Sequence, residues 1–393
     1  MKIVHICLCG LFGEKYAYQD NLLTEYHRRA GHKVTIIAPT MSGFTSNNGV
    51  VYDPAGEKML DNGCKLVRVK PLFKSDRINK HLHLYESIVD LILEEVPDSI
   101  FVHNVSSFNY LCLLKVKKKQ PNVSIVFDSH MDEFNSNKNH LSKILNGVVY
   151  KYLVVARLKK ISNVFYGVTP SRCDFLNKVF GVPKEKIKLL CMGADDVNMQ
   201  FDKREILRNE VRDNYGLSED DFLIVTGGKI DKTKNIDKLI DAVSRINNPK
   251  VKILFFGSIT DDLKSYIENM LSERIIYAGW VDSKTVYKYF YAADIVMFPG
   301  LHSVLWEQAV ASRAPLAVSR LKGFEHVNVN ENCLFLEGNT IDYYKQFVDQ
   351  LIDNNQRYAK LKSCADSKEA DAFFYSHIAQ SVIDDINGLA FKA

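Results

Sequence analysis

The 393-residue sequence contains no uninterrupted apolar stretch approaching the roughly 20 residues that a spanning helix needs, so no membrane crossing is expected. It also lacks any repeat of solenoid period and any low-complexity tract, which sets aside repeat arrays and wholesale disorder. The excess of positive over negative charge is small. A net charge of +4 falls well below the basic excess of a dedicated nucleic-acid binder. The eight cysteines have neither metal nor redox spacing. The one close pair, Cys7 and Cys9, falls in an apolar run whose alternate residues face opposite sides of a strand, and buried reduced thiols of a cytoplasmic protein are expected. The opening MKIVHICLCGLFGEKY has a short apolar run and no A-x-A cleavage site, and it reads as a first strand rather than a signal peptide.

What is present is the composition of a packed protein, 46% hydrophobic and 25% charged, over a length that favours two domains. In the first half, the short β-branched runs KIVHICLC, HKVTIIAP, CKLVRVK, SIFVHN, SIVFDS and NVFYGVTP alternate with helical patterns. Between the first two, Leu22, Leu23 and Tyr26 recur at helical spacing, and Gly31 stands where a helix-ending glycine belongs. From about Asp221 the pattern restarts with strands FLIVTGGKI, VKILFFGS, IIYAGW and DIVMFPG, separated by amphipathic stretches. The charged stretch FDKREILRNEVRDNYGLSEDD between the halves is the candidate linker. The predicted fold is α/β, with two doubly wound, Rossmann-like domains whose parallel sheets are covered on both faces. Ligands of such sheets bind beyond the carboxyl ends of the strands, and functional residues are expected in the loops there.

TGGKIDKTKN places Gly227 and Gly228 after a strand, then Lys229, and Lys234 just before a helix. Glycine permits close backbone approach, a helix N-terminus offers free N–H groups, and two lysines can oppose a diphosphate. A glycine turn with surface lysines is the plainer alternative. Gly257 and Ser258 end the next strand, and Gly279 and Trp280 another; each glycine alone is ordinary turn punctuation, but together they describe a backbone-lined crevice. In PGLHSVLWEQAVASRAPLAV a helix should begin near Ser303, with Leu305, Trp306, Ala309 and Val310 as its packing face. Glu307 is then a carboxylate in apolar surroundings, four residues from Ser303 where a capping box needs three, with no positive partner one turn away. A ligand with hydroxyl donors would satisfy it; a helix dipole worth about 0.3–1 kcal/mol is the alternative account.

The ordered set GGKIDKTK, FFGS, AGWVDS and FPGLHSVLWEQAVASRAP resembles the second domain of the retaining glycosyltransferases of family four, group 1 type, which have the GT-B fold. RRAGHKVTIIAP and VTPSRCDFLNKVFGVPKEKIKLLCMGADD extend the resemblance through the first half. It implies two Rossmann-like domains facing each other across a cleft. An acceptor-binding domain over residues 1–200 would be joined by the last helix, about 373–393, and a donor-binding domain would occupy 201–372. The implied reaction moves a sugar from a nucleotide-diphosphate donor, a UDP-sugar favoured, to an acceptor hydroxyl with the anomeric configuration kept. The implied acceptor is a glycan or lipid-linked glycan of surface polysaccharide biosynthesis. Lys229 and Lys234 would meet the donor diphosphate and Glu307 the ribose. Main chain around Gly279, Trp280 and Val281 would meet the base, and main chain of Ser303, Val304 and Leu305 the phosphates, with Gly228 and Gly257 lining the site. Two departures stand out. The usual arginine is Lys229, which loses the bidentate fork; and the loop before Glu307 is about four residues shorter than the family's, without its first glutamate, leaving His302 nearest that role. No Asp-x-Asp motif sits at a strand end, since Asp195 and Asp196 are adjacent, so neither a metal nor a cofactor is expected.

In the first half, GLFGEKYAY follows the first strand, and the resemblance has Gly13 approach the donor diphosphate from the opposite wall. FDSHMDEFNSN concentrates polar groups at a strand end, and His130, with Asp132 second, is the candidate for acid–base work or for orienting a sugar hydroxyl; a solvated polar loop is the alternative. His81 and His83 alternate with leucines and read as one face of a local element. From Phe134 to Cys173 there are seven Lys or Arg and no Asp or Glu, around the apolar HLSKILNGVVYKYLVVARLKKI. Such a helix suits peripheral contact with the anionic cytoplasmic face of a membrane; a core helix with basic residues at its exposed positions explains the pattern as well. Two rival functions stay open: a sugar-nucleotide epimerase of the same architecture, and an inactive sugar-nucleotide-binding protein, which the missing glutamate favours.

Overall fold

The computed structural model describes residues 1–393 except 15, 46–48, 74, 76–82 and 391–393. The chain forms two compact units, one made of Met1–Cys191 and the segment from Ile378 onward, the other of Met192–His377.

In the first unit, the six strands read from the sequence are β1 (Lys2–Ile6), β2 (Lys33–Pro39), β6 (Lys65–Val69), β7 (Ser99–Val102), β8 (Ser124–Ser129) and β9 (Val164–Gly167). Four short strands had no pattern to announce them: β3 (Met41–Phe44), β4 (Val50–Tyr52), β5 (Gly56–Met59) and β10 (Ile187–Leu189). The main sheet has the order β10-β9-β8-β7-β1-β2-β6-β5, and among its pairings only β5 with β6 is antiparallel. The order reverses beside β1, so the carboxyl ends of β1 and β7 border the crevice where such sheets bind ligands. The helix Gln19–Arg29 buries Leu22, Leu23 and Tyr26, and Gly31 follows it with a φ of 88°. The last helix, Tyr375–Ala390, buries Ile378, Val382 and Ile386, and its Asp385 accepts the Tyr166 hydroxyl at 2.8 Å.

The second unit is a fully parallel sheet of β11 (Phe222–Gly227), β12 (Val251–Phe256), β13 (Ile275–Tyr277), β14 (Ile295–Phe298), β15 (Leu316–Ser319) and β16 (Cys333–Leu336), ordered β13-β12-β11-β14-β15-β16. The reversal here lies between β11 and β14. The stretch expected as a linker is instead an integral part of this unit. Its helix, Arg204–Asn214, brings Arg208 and Arg212 to Asp294 at 3.1 and 3.3 Å, and both guanidinium groups also take main-chain carbonyls between Tyr291 and Ala293. Charge marked the segment as a linker, but an arginine fork with several acceptors can be packed in, and Arg212 is buried.

Candidate active site

Two loops meet at the switch point of the second unit. The turn after β11 carries Gly228, with a φ of 104°, and Gly257 directly follows β12 with a φ of 113°. A Cβ on Gly257 would stand 1.9 Å from the Gly228 carbonyl oxygen, and one on Gly300 would stand 2.3 Å from the Lys234 Cα. Only glycine lets these backbones touch. Lys234 fastens the loop after β14 directly, its Nζ donating to the carbonyls of Leu301 at 2.5 Å and His302 at 3.0 Å. Burial lowers the Lys234 pKa, an effect only partly opposed by the charge of Asp231. Lys229 is exposed, with its Nζ 3.6 Å from Asp231. Trp280, after β13, is 75% exposed. Val281, Ser303, Val304 and Leu305 are partly buried.

Glu307, in the helix Leu305–Ala311, is completely buried and is not an unpartnered carboxylate. His302 Nε2 and His326 Nε2 both donate to its Oε1 at 2.8 Å. Neither partner lies one helical turn away on the same helix: His302 is in the preceding loop and His326 in a 3₁₀ turn 19 residues on. His302 therefore does not simply replace the missing acid; its ring is held by the remaining one. Burial alone would raise the Glu307 pKa, but His302 and then His326 bring it down to about 2. Glu307 Oε2 and His326 Nδ1 are buried without a hydrogen-bond partner. Among the described residues these three side chains are also the group that could hold a metal ion, their ligand atoms lying within 4.8 Å of one another. As arranged, both Nε2 atoms serve as hydrogen-bond donors.

In the first unit, His130 sits after β8 with its side chain 36% exposed. Asp132 is not directed at it. Its carboxylate caps the short helix Glu133–Ser136 by accepting from Asn135 N and lies 3.3 Å from Arg172 Nε. The carboxylate beside His130 is Asp128, whose Oδ2 lies 3.6 Å from His130 Nε2 and 3.0 Å from His103 Nδ1. The spacing carried a signal, since residues two apart at a strand end share a side. Gly13 is enclosed by Tyr16 and the Ser42 carbonyl, 2.4 and 2.7 Å from where its Cβ would stand, and its own carbonyl accepts from Asn21. His83 contributes a carbonyl to the Ser107 hydroxyl, while His81 lies outside the described residues.

Residues 208–368 match the family model for glycosyl transferases group 1, and residues 20–197 match that for glycosyltransferase family 4. The chain belongs to this glycosyltransferase family. An uncharacterized glycosyltransferase of Methanocaldococcus jannaschii is 21% identical over 320 residues, 77% of this chain and 76% of its own. The alpha-galactosylglucosyldiacylglycerol synthase of Streptococcus pneumoniae is 24% identical over 173 residues, 40% of this chain and 42% of its own. Among solved structures, Anabaena HepE in complex with UDP superposes with a TM-score of 0.69 at 13% identity, over 99% of this chain and 100% of that one. A UDP-GlcNAc 2-epimerase from Neisseria meningitidis bound to UDP-GlcNAc gives 0.63 at 12%, over 99% and 100%. These likenesses place the glycosyltransferase in the GT-B fold.

Proposed function

We propose that this glycosyltransferase transfers a sugar from a UDP-sugar to an acceptor hydroxyl with retention and without a metal. The observation that carries the reading is the pair of loops joined at the β11/β14 switch point, with a partly buried lysine held between them. A departing diphosphate would take the place of the two carbonyls on Lys234, with Lys229 turning from Asp231 to reach it from the exposed side. Main chain of Ser303, Val304 and Leu305 would add N–H donors, and Trp280 with Val281 would border the base. Glu307, buried beneath His302, would act on the donor through that imidazole or through its free Oε2. Retention follows from same-face attack by the acceptor, with His130 on the acceptor side. UDP in HepE supports the choice of nucleotide. Saturation with UDP at about 100 times its Kd should stabilise the protein by roughly 2.7 kcal/mol, read as a thermal shift that GDP and ADP do not give. Donor consumed only when a glycan or lipid-linked acceptor is present supports transfer; an epimerised nucleotide sugar formed without acceptor would instead favour the epimerase reading, and UDP binding with no turnover the inactive one.

We also propose that the enzyme works at the cytoplasmic face of an anionic membrane, on a lipid-linked acceptor of surface polysaccharide assembly. No helix among the described residues is long and apolar enough to cross a membrane. The helical segment from His140 to Leu158, wound in π-type turns over Leu145–Val155, leaves Leu141, Ile144, Val148, Tyr152 and Leu153 between 47% and 76% exposed beside the exposed Lys143 and Arg157. Apolar rows flanked by cations fit a surface of anionic headgroups. Sedimentation with phosphatidylglycerol vesicles should fall at least about tenfold in a Leu141→Ser, Val148→Ser, Tyr152→Ser variant, and binding to neutral vesicles should be weak throughout.

A further inference from the structure

A chain of buried imidazoles crosses the first unit and has no part in the transfer as proposed above. His27 lies in the helix Gln19–Arg29, His5 in β1, His103 directly after β7 and Asp128 in β8, all four buried. His27 Nε2 is 3.2 Å from the Ala379 carbonyl oxygen, and His27 Nδ1 is 3.0 Å from His5 Nε2. His5 Nδ1 is 3.1 Å from His103 Nε2, and His103 Nδ1 is 3.0 Å from Asp128 Oδ2. The chain thus has four links, and its two ends, a carbonyl and a carboxylate, only accept. Each link needs one hydrogen, whereas a neutral imidazole brings one N–H. Three neutral rings leave the chain one proton short.

We propose that the chain holds a fourth proton as a cationic imidazole beside an ionised Asp128, so that His5, His27 and His103 are positioning residues that supply the counter-charge of Asp128 from behind. The idea rests on the reading of His130 as the acceptor-side group. Burial lowers the His5 pKa strongly and that of His27 to about 3, which moves the proton toward the His103 end. Burial would raise the Asp128 pKa, but His103 and His130 hold it well below the usual carboxylate range. The other groups facing the chain fit this distribution. Cys7 and Cys9, after β1, are raised by burial and stay thiols. Tyr110, likewise raised, donates to the His103 carbonyl, and His32 stands edge-on to His27. Asp20, at the start of the same helix as His27, is raised by burial and faces both His103 and His130. With the charge of Asp128 met inside the unit, His130 can turn its open edge to a hydroxyl without also having to neutralise that carboxylate.

Histidine ¹⁵N NMR on the full, ligand-free chain tests the proton count without any appeal to activity. At about pH 8, well above the ordinary histidine pKa of about 6.5, one buried imidazole should keep both nitrogens protonated. His5→Phe and His27→Leu should each abolish that signature, because the links left over then need no more hydrogens than the remaining neutral rings carry. His27→Leu removes only the far end of the chain and serves if His5→Phe does not fold. The count is overturned if every buried imidazole is neutral at that pH, or if the doubly protonated ring survives both variants. In transfer assays the acid limb of the pH profile should move to higher pH in His5→Phe and His27→Leu, as the charge of Asp128 falls on His130; an unmoved limb would refute the positioning role. Absence of transfer in the wild type with the NMR signature intact would refute the proposed function and leave the proton chain standing.

Discussion

Glu307→Ala should destabilise the unit Met192–His377 by about 3–5 kcal/mol, the cost of taking one partner out of a buried polar cluster. His302 and His326 each donate Nε2–H to Glu307 Oε1, and both rings are nearly inaccessible, so neither finds water when the carboxylate is gone. Glu307→Gln keeps an amide oxygen in place and should cost less. Urea unfolding read by tryptophan emission suits the measurement, because Trp306 is fully buried against His302 while Trp280 is already exposed. An alanine variant within about 1 kcal/mol of wild type would mean the three side chains are not a unit. The pH dependence has a definite sign. The Glu307 pKa is depressed to about 2 in the folded state, so its contribution is complete above the unfolded carboxyl value of about 4.3 and disappears as pH falls toward 2.

Lys234→Ala should lower kcat/KM for transfer by about 10²–10³-fold, the scale seen when one group stabilising developing charge is removed, and should abolish the thermal shift given by UDP. The fold should persist, since Lys234 donates to two carbonyls at the edge of the site while the close packing of Gly300 on its backbone does not depend on the side chain. Lys234→Arg keeps the charge but not the compact head, and should recover part of the activity. Wild-type turnover in Lys234→Ala would remove the lysine from the donor site, whatever the effect on stability. Glu307→Ala and Lys234→Ala therefore differ in kind: the first lowers stability as well as acting on the donor, while the second acts on kcat/KM and leaves the fold intact.

Periodicity and turn chemistry made the six principal strands of the first unit legible, as well as the helix around Leu22 and Tyr26 and the glycine-ended strands of the second. The short strand GEKM offered nothing to read, because every one of its residues is exposed and no apolar face marks a strand. The supposed linker failed for the opposite reason. Its charges are paired inward, and a one-dimensional pattern does not distinguish a solvated arginine from one whose partner, Asp294, lies more than 80 residues away. The same blindness affected the site. Glu307 stood out because it looked unsatisfied, but His326, which completes the cluster, sits in GFEHVN, where nothing is periodic. At FDSHMDE the acidic residue nearest the loop centre drew the eye, although Asp132 serves the backbone and Asp128, still within the strand, faces His130.

The segment Met192–His377 is an uninterrupted stretch of chain, whereas the first unit needs residues from either side of it. During synthesis from the N-terminus, the second unit can therefore be complete while the first still lacks its closing helix. Until Ala379 has been added, His27 has no carbonyl to receive its Nε2–H, and the proton count that the finished histidine chain imposes does not yet apply. The charge state proposed beside Asp128 is thus set by a residue that emerges only after the whole second unit, and a chain truncated before Ile378 would retain every histidine of the chain of imidazoles yet lose the carbonyl that makes the extra proton necessary.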